Sequence, residues 1–210
     1  MIRILIADDH AILRRGLKEI LVRELREVLC GEAEDAEQVI KQVQSHPWDL
    51  VILDLTMPGR SGLDVLADLK LTHPGLPILV LSMHPEEQYG KRVLKAGASG
   101  YMNKESAPEE LIKAIQKLLS GGKYVSAALA EKLVSSLQEE QRQGVHDSLS
   151  AREFEILRMI GSGKTLSQIA RELHLSVTTV STYRARILEK LNVSTTADLI
   201  RYALQNRIVD

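Results

Sequence analysis

The sequence predicts an α/β domain built on a five-stranded parallel sheet, followed by a smaller all-helical domain. Three observations carry this expectation. Over residues 1–120, short β-branched apolar runs alternate with longer stretches of helical spacing. From Ser150 onward no strand-like alternation remains. The 210 residues suffice for two small domains, each with its own core, and an aromatic content of 3% makes those cores aliphatic.

The strands are expected at Ile2–Ala7, Val28–Glu32, Leu50–Leu53, Ile78–Leu81 and Gly100–Met102. Helical spacing falls between them, near Ile12–Glu24, Asp35–Gln44, Gly62–Leu71, Pro85–Ala96 and Pro108–Ser120. Helices on both faces allow a strand to be apolar throughout, as Leu50-Val51-Ile52-Leu53 is. Gly121-Gly122 closes the last of these helices. The glutamine-rich stretch Ser126–Gln143 keeps helical spacing at Leu129, Leu133 and Leu137, so residues 121–147 read as a partly helical linker. The final domain, 148–210, should hold helices at Ser150–Ile160, Thr165–Leu173, Val177–Leu191 and Thr195–Gln205. Capping boxes, Ser150-x-x-Glu153 and Thr165-x-x-Gln168, fix two of those starts.

Composition narrows the function classes. With 44% hydrophobic and 26% charged residues the chain is globular rather than disordered. No apolar run reaches the ~18 residues of a membrane span, and Asp8-Asp9 interrupts the first apolar run before a signal peptide could form. A cytoplasmic protein without membrane contact is expected. The single cysteine, Cys30, excludes an internal disulfide and a cysteine-rich zinc site. Residues 145–210 carry nine Lys and Arg against seven Asp and Glu, an excess that permits a nucleic-acid surface without demanding one.

Ligands of a doubly wound sheet bind at the carboxyl ends of the strands, where the strand order reverses. Those ends carry Asp8 and Asp9, then Asp54, then Ser82, then Lys104. Three converging carboxylates repel one another unless a cation or a proton intervenes. An oxygen-only set suits Mg²⁺. A carboxylate there is positioned to attack a phosphoryl group and form an aspartyl phosphate, with the metal and Lys104 as counter-charges and the Ser82 hydroxyl as a hydrogen-bond donor. Taken alone, an aspartate at a strand end is more often a cap or turn residue. The joint placement at four strand ends favours a site.

The stretches Ile4-Leu5-Ile6-Ala7-Asp8-Asp9-His10, Asp49–Gly59, Val80-Leu81-Ser82 and Ala96-Gly97-Ala98-Ser99-Gly100-Tyr101-Met102-x-Lys104 resemble the receiver domain of two-component response regulators, over residues 1–120. The resemblance implies a flavodoxin-like (CheY-like) α/β fold. It implies Asp54 as the phosphoacceptor, Asp9 as a direct Mg²⁺ ligand, Asp8 as a ligand largely through water, and the Thr56 main-chain carbonyl as a third protein ligand. Ser82 and Lys104 would bind the phosphoryl oxygens, and Tyr101 would be the aromatic that turns inward when Ser82 moves. The residue after the lysine is Glu105 where this family often has proline, which leaves the shape of that loop open.

In the last domain, Thr165–Val180 reads as helix, tight turn, helix, with Ile169, Ala170 and Leu173 placed to pack on Val180 and Ile187. At 100° per residue, Val180, Ile187, Leu188 and Leu191 share a stripe, with Thr178, Ser181, Thr182, Ala185 and Glu189 roughly opposite. Small hydroxyl and methyl groups suit base edges in a major groove, and Arg186 and Lys190 flank them toward phosphates. Arg184 points to the apolar side, where stem packing or an ion pair is as reasonable as a DNA contact. On pattern alone an ordinary helical bundle with a solvated face fits equally well.

The segments Ser148-Leu-Ser-x-Arg152-Glu153 and Thr179-Val180-Ser-Thr-Tyr183-Arg184-x-Arg186-Ile187-Leu-Glu-Lys190-Leu191 resemble the LuxR-type helix-turn-helix domain of the NarL/FixJ class. The whole chain, through Ile208-Val209-Asp210, is similar to the GacA/UvrY/SirA group of that class. The resemblance implies a transcription regulator phosphorylated by a histidine kinase or its phosphotransfer domain, binding promoter DNA as a homodimer when active. The DNA contacts are expected, from the helical projection, on Thr178, Thr179, Ser181, Thr182, Ala185, Arg186 and Lys190. Thr178 stands where that group often has lysine, so its operator does not carry over. A Mg²⁺-dependent phosphohydrolase is a rival, weakened because the position two after Asp54, where such enzymes want an acid, is Thr56. A constitutive DNA-binding protein with a degenerate receiver is another.

Overall fold

The structure, a computed structural model, describes residues 1–57, 60–106, 108–138 and 148–209. Pro58-Gly59 of the quoted motif, residues 139–147 of the expected linker and Asp210 lie outside the described residues. The chain forms two compact units, Met1–Ser135 and Ser136–Asp210. No described helix is long and apolar enough to cross a membrane.

The first unit alternates β1 (Ile2–Ala7), α1 (Ala11–Glu24), β2 (Val28–Ala33), α2 (Ala36–Ser45), β3 (Leu50–Asp54), α3 (Gly62–Thr72), β4 (Ile78–Ser82), α4 (Glu86–Lys95), β5 (Gly100–Asn103) and α5 (Pro108–Leu119). The sheet order is β2-β1-β3-β4-β5 and every pairing is parallel. Register sets Ala7 beside Leu53 and Asp54 beside Leu81, so the acid-bearing ends of β1 and β3 lie side by side at the point of order reversal. Ile4, Ile6, Leu50, Ile52, Leu79 and Leu81 join a core with Leu17 and Leu21 of α1 and Leu111, Ile115 and Leu118 of α5. The residues of opposite parity, Leu5, Val51, Leu53 and Val80, are equally buried, which is why these strands show no polar alternation.

Past α5 the chain stays on this unit. Tyr124 forms a parallel bridge with Gly100, its N–H donating to the Ser99 carbonyl (3.0 Å) and its carbonyl accepting from Tyr101 N–H (3.3 Å). Helix α6 (Ala127–Gln138) follows, with Leu129 buried. The first part of the expected linker therefore packs as receiver structure.

The second unit holds α7 (Ala151–Gly161), α8 (Leu166–Glu172), α9 (Val177–Leu191) and α10 (Thr196–Gln205). Both expected capping boxes form, and a third joins Thr195 to Asp198 at α10. Its shorter acid departs from the Glu/Gln pattern and so escapes a search on that pattern. His174, at a φ of 52°, takes the left-handed turn between α8 and α9, and Ser176 caps α9 through Thr179 N–H. Ile169, Ala170, Val180 and Ile187 are buried together in the core of this unit, and Leu173 is half-buried.

Candidate functional site

Asp54 is the last residue of β3 and Ser82 the last of β4, one residue further than the strands read from sequence. Asp8 follows β1 directly. Asp8 and Asp54 are 2% and 1% exposed, Ser82 is fully buried, and Asp9 sits at the rim. Lys104, from the turn after β5, reaches both buried acids: Nζ lies 2.6 Å from Asp8 Oδ2 and 2.7 Å from Asp54 Oδ2. The other Asp54 oxygen accepts Thr56 N–H at 3.1 Å, so the carboxylate is held from two sides. Burial pushes the Asp54 carboxyl above its usual range, against the downward pull of Lys104 and of Thr56 N–H. Burial alone would lower Lys104, but its hydrogen bonds to Asp54 and Asp8 outweigh that and hold the ammonium above its usual range.

Glycine at position 62 belongs to this geometry. A Cβ there would collide with the Asp54 carbonyl and come within 2.7 Å of Leu55 Cα. Only a residue without a side chain lets α3 start this close to the end of β3.

The loop left open by Glu105 closes without proline. Glu105 N–H, which proline would lack, donates to Asn103 Oδ1 at 2.8 Å, and Ser106 N–H donates to the Asn103 carbonyl at 3.0 Å. An asparagine-anchored turn thus presents Lys104.

Tyr101 is fully buried and its hydroxyl donates to the His84 carbonyl at 2.7 Å. Burial drives its phenol well above the usual range. Ser82 Oγ accepts His84 N–H at 3.2 Å, so Ser82 and Tyr101 meet the same short segment.

The acids also gather a residue that pattern reading passed over. Carboxylate oxygens of Asp8, Asp9 and Asp54 and a ring nitrogen of His10 lie within 4.8 Å of one another. His10 N–H donates to Asp8 Oδ1 at 2.8 Å, and Nδ1 lies 2.7 Å from Asp9 Oδ1. Its signal was its place in the Asp8-Asp9-His10 run. Three carboxylates at this spacing fit a hard divalent cation. Arg14 braces the same turn, donating to the Asp8 carbonyl at 2.6 Å.

In the second unit, Thr178, Ser181, Thr182, Ala185 and Arg186 are exposed along α9. Arg186 lies over the Tyr183 ring, 5.9 Å from its centroid. Thr179 is half-buried, its hydroxyl 2.8 Å from Ser176 Oγ in the cap. Lys190, at the far end, places Nζ 2.7 Å from the buried Glu153 Oε2. Arg184 turns from the polar face and donates to Thr196 Oγ1 at 2.7 Å.

The fold and its rim define a phosphoacceptor-type sheet domain joined to a helix-turn-helix domain. The family model for the response regulator receiver domain matches residues 4–116, and that for bacterial regulatory proteins of the luxR family matches residues 147–203. The response regulator UvrY of Escherichia coli K12 is 33% identical over 98% of this chain and 95% of its own. The response regulator GacA of Pseudomonas aeruginosa is 34% identical over 100% and 99%. Among solved structures, RcsB of Salmonella enterica serovar Typhimurium, bound to the promoter rprA in the presence of the phosphomimetic BeF3⁻, superposes with a TM-score of 0.66. It has 30% identity, covering 96% of this chain and 98% of that one. The chain belongs to the response regulators, with a receiver domain and a luxR-family domain, and is a phosphorylation-dependent, DNA-binding regulator of transcription.

Proposed function

We propose that Asp54 is the residue that accepts the phosphoryl group, from a cognate histidine kinase or its phosphotransfer domain. The observation that carries this is a buried carboxylate, oriented by Lys104 and Thr56 N–H and flanked by two further acids. One Asp54 oxygen attacks phosphorus, the phosphorus–nitrogen bond of the donor breaks, and the donor nitrogen leaves with the electron pair. Burial keeps the carboxylate poorly solvated and hence a better nucleophile. Lys104 then exchanges its carboxylate partners for phosphoryl oxygens, and Ser82 supplies a hydrogen bond. Asp8, Asp9, Asp54 and the Thr56 carbonyl would hold Mg²⁺, which supplies positive charge opposite the transferring group.

The added charge biases a two-state receiver through its differential contacts with Ser82, Lys104 and Tyr101. The active form binds promoter DNA as a homodimer in the cytoplasm, with half-sites about one helical turn (~10 bp) apart. Thr178, Thr179, Ser181, Thr182 and Ala185 face the bases and Arg186 the phosphates. Lys190 would meet a phosphate only by sharing the ammonium that Glu153 already holds. The proposed division of the chain is a receiver over 1–120, a linker over 121–147 whose first part packs on the receiver, and the DNA-binding domain over 148–210.

The test is labelling with acetyl phosphate followed by footprinting on genomic fragments. Wild type gains one phosphoryl group and binds DNA more tightly, whereas Asp54→Asn does neither and chelation of Mg²⁺ abolishes labelling. Labelling of Asp54→Asn at the wild-type rate would sink the assignment. Turnover of a phosphate ester would favour a phosphohydrolase.

A further inference from the structure

The first turn of α6 is fastened to α4 at two points, and neither is needed to bind a phosphoryl group. Ser126 Oγ donates to the Glu86 carboxylate at the start of α4 and accepts Leu129 N–H at 3.0 Å. One hydroxyl therefore caps α6 and ties it to α4. One turn further along, Leu129 fills a notch over Gly90. A Cβ at Gly90 would come within 2.5 Å of Leu129 Cδ2, so Leu129 would have to move aside for any other residue at this position. Glycine is a poor mid-helix residue, so its value here lies in that close approach.

Tyr101 bonds to the segments that lead into both helices of this junction. Its hydroxyl donates to the His84 carbonyl, in the segment entering α4, and the His84 ring stacks on Tyr89 of α4 at 4.5 Å and 15°. Its N–H donates to the Tyr124 carbonyl, in the segment entering α6. Tyr101 thus links the segments entering α4 and α6, the first through its hydroxyl and the second through its backbone. Packed, hydrogen-bonded contacts of this kind couple distant sites when the element they join has two arrangements.

We propose that Ser126, Glu86, Gly90 and Leu129 are positioning residues that carry the receiver's switch into α6, the segment that leads toward the helix-turn-helix domain. The proposal rests on phosphorylation-dependent DNA binding as read above. With the junction fastened, α6 follows α4. With it undone, the receiver takes the phosphoryl group and the DNA-binding domain does not respond.

The discriminating variant is Ser126→Asp in the full-length chain. Aspartate keeps the N-cap of α6 but cannot donate, and sets a like charge against Glu86. Adding Glu86→Gln supplies an amide donor and restores the tie. Gly90→Leu tests the notch separately. Three readouts are taken with and without beryllofluoride: affinity for a footprinted promoter fragment, hydrogen exchange of the α6 amides, and, as a control, acetyl phosphate labelling.

Wild type should gain affinity by about 5–150-fold, the usual range of allosteric coupling. Ser126→Asp and Gly90→Leu should label normally, gain less than about 2-fold, and lose α6 protection. The double variant Ser126→Asp/Glu86→Gln should recover both. Wild-type gain and protection in Ser126→Asp and Gly90→Leu would overturn the proposal. A wild type that labels without gaining affinity would instead remove the functional reading. The junction would then stand or fall on whether beryllofluoride changes α6 exchange in wild type but not in the variants.

Discussion

Each unit of this protein buries a carboxylate beside a lysine, and the two carboxyls are shifted in opposite directions. In the helical domain Glu153 receives Lys190, Ser150 N–H and the rest of a capping box, and these outweigh burial, so its carboxyl lies below the ordinary 4.5. In the receiver, Asp54 shares Lys104 with Asp8, accepts one backbone N–H, and is pushed above the ordinary 3.8 because burial wins. A satisfied buried acid is architecture. An under-satisfied one is poised for chemistry, since a cation would stabilise its charge and bond formation to phosphorus would remove it.

The sharpest way to break this contrast is Lys104→Met. It strands two buried carboxylates, and removing one partner of a buried pair costs roughly 3–5 kcal/mol. Denaturation in EDTA should show that loss in the receiver, and Mg²⁺ should restore much of it by replacing the missing charge. No recovery with Mg²⁺ would show that the acids do not share a cation.

Glu153→Gln should cost the helical domain roughly 1–3 kcal/mol at neutral pH, the penalty of an unmade charged hydrogen bond, discounted because Lys190 is partly exposed. A carboxyl depressed on folding stabilises above its unfolded value of 4.5, and that stabilisation fades as pH falls through the folded pKa. The gap between Glu153→Gln and wild type should therefore close below pH 4.5. A gap that persists there would assign the loss to packing.

Arg186→Ala should weaken DNA binding nearly uniformly across sequences and lower the salt slope by about 1, as for a lost phosphate contact. A change in sequence preference instead would move Arg186 from backbone to base.

Asp54→Asn carries the smallest expected shift in stability, and its sign is the informative part. A carboxyl raised on folding favours the folded state in full below its unfolded value of 3.8, and that advantage is lost as pH climbs through the folded pKa. At neutral pH without metal the substitution should raise the thermal midpoint slightly. A fall would mean that Lys104 stabilises Asp54 more than burial destabilises it.

Much of this was legible in the residues. Apolar runs located all five strands, and the acids at their ends announced a site, because backbone periodicity and strand-end chemistry are local properties. The pairing of Lys190 with Glu153 was not legible: 37 residues separate them, and a lysine on a polar helix face gives no sign of a distant partner. Nor did Gly90 or Leu129 stand out, one resembling a weak helix residue and the other ordinary apolar spacing. What joins them is a fit of shapes, which exists only once both helices are placed. Asn103 gives no sign of its role either, because the turn it anchors is made by its side chain and carbonyl only once Glu105 and Ser106 fold back on it.

Tyr124 extends the sheet by one parallel rung beyond α5. Anyone splicing this sensor half onto a foreign effector would do well to place the seam after Ser135, where the compact unit ends, rather than at residue 120. A graft cut at the earlier point would leave Gly100 facing solvent and α4 with an open groove. Such a hybrid would still accept a phosphoryl group while its new cargo went uninformed.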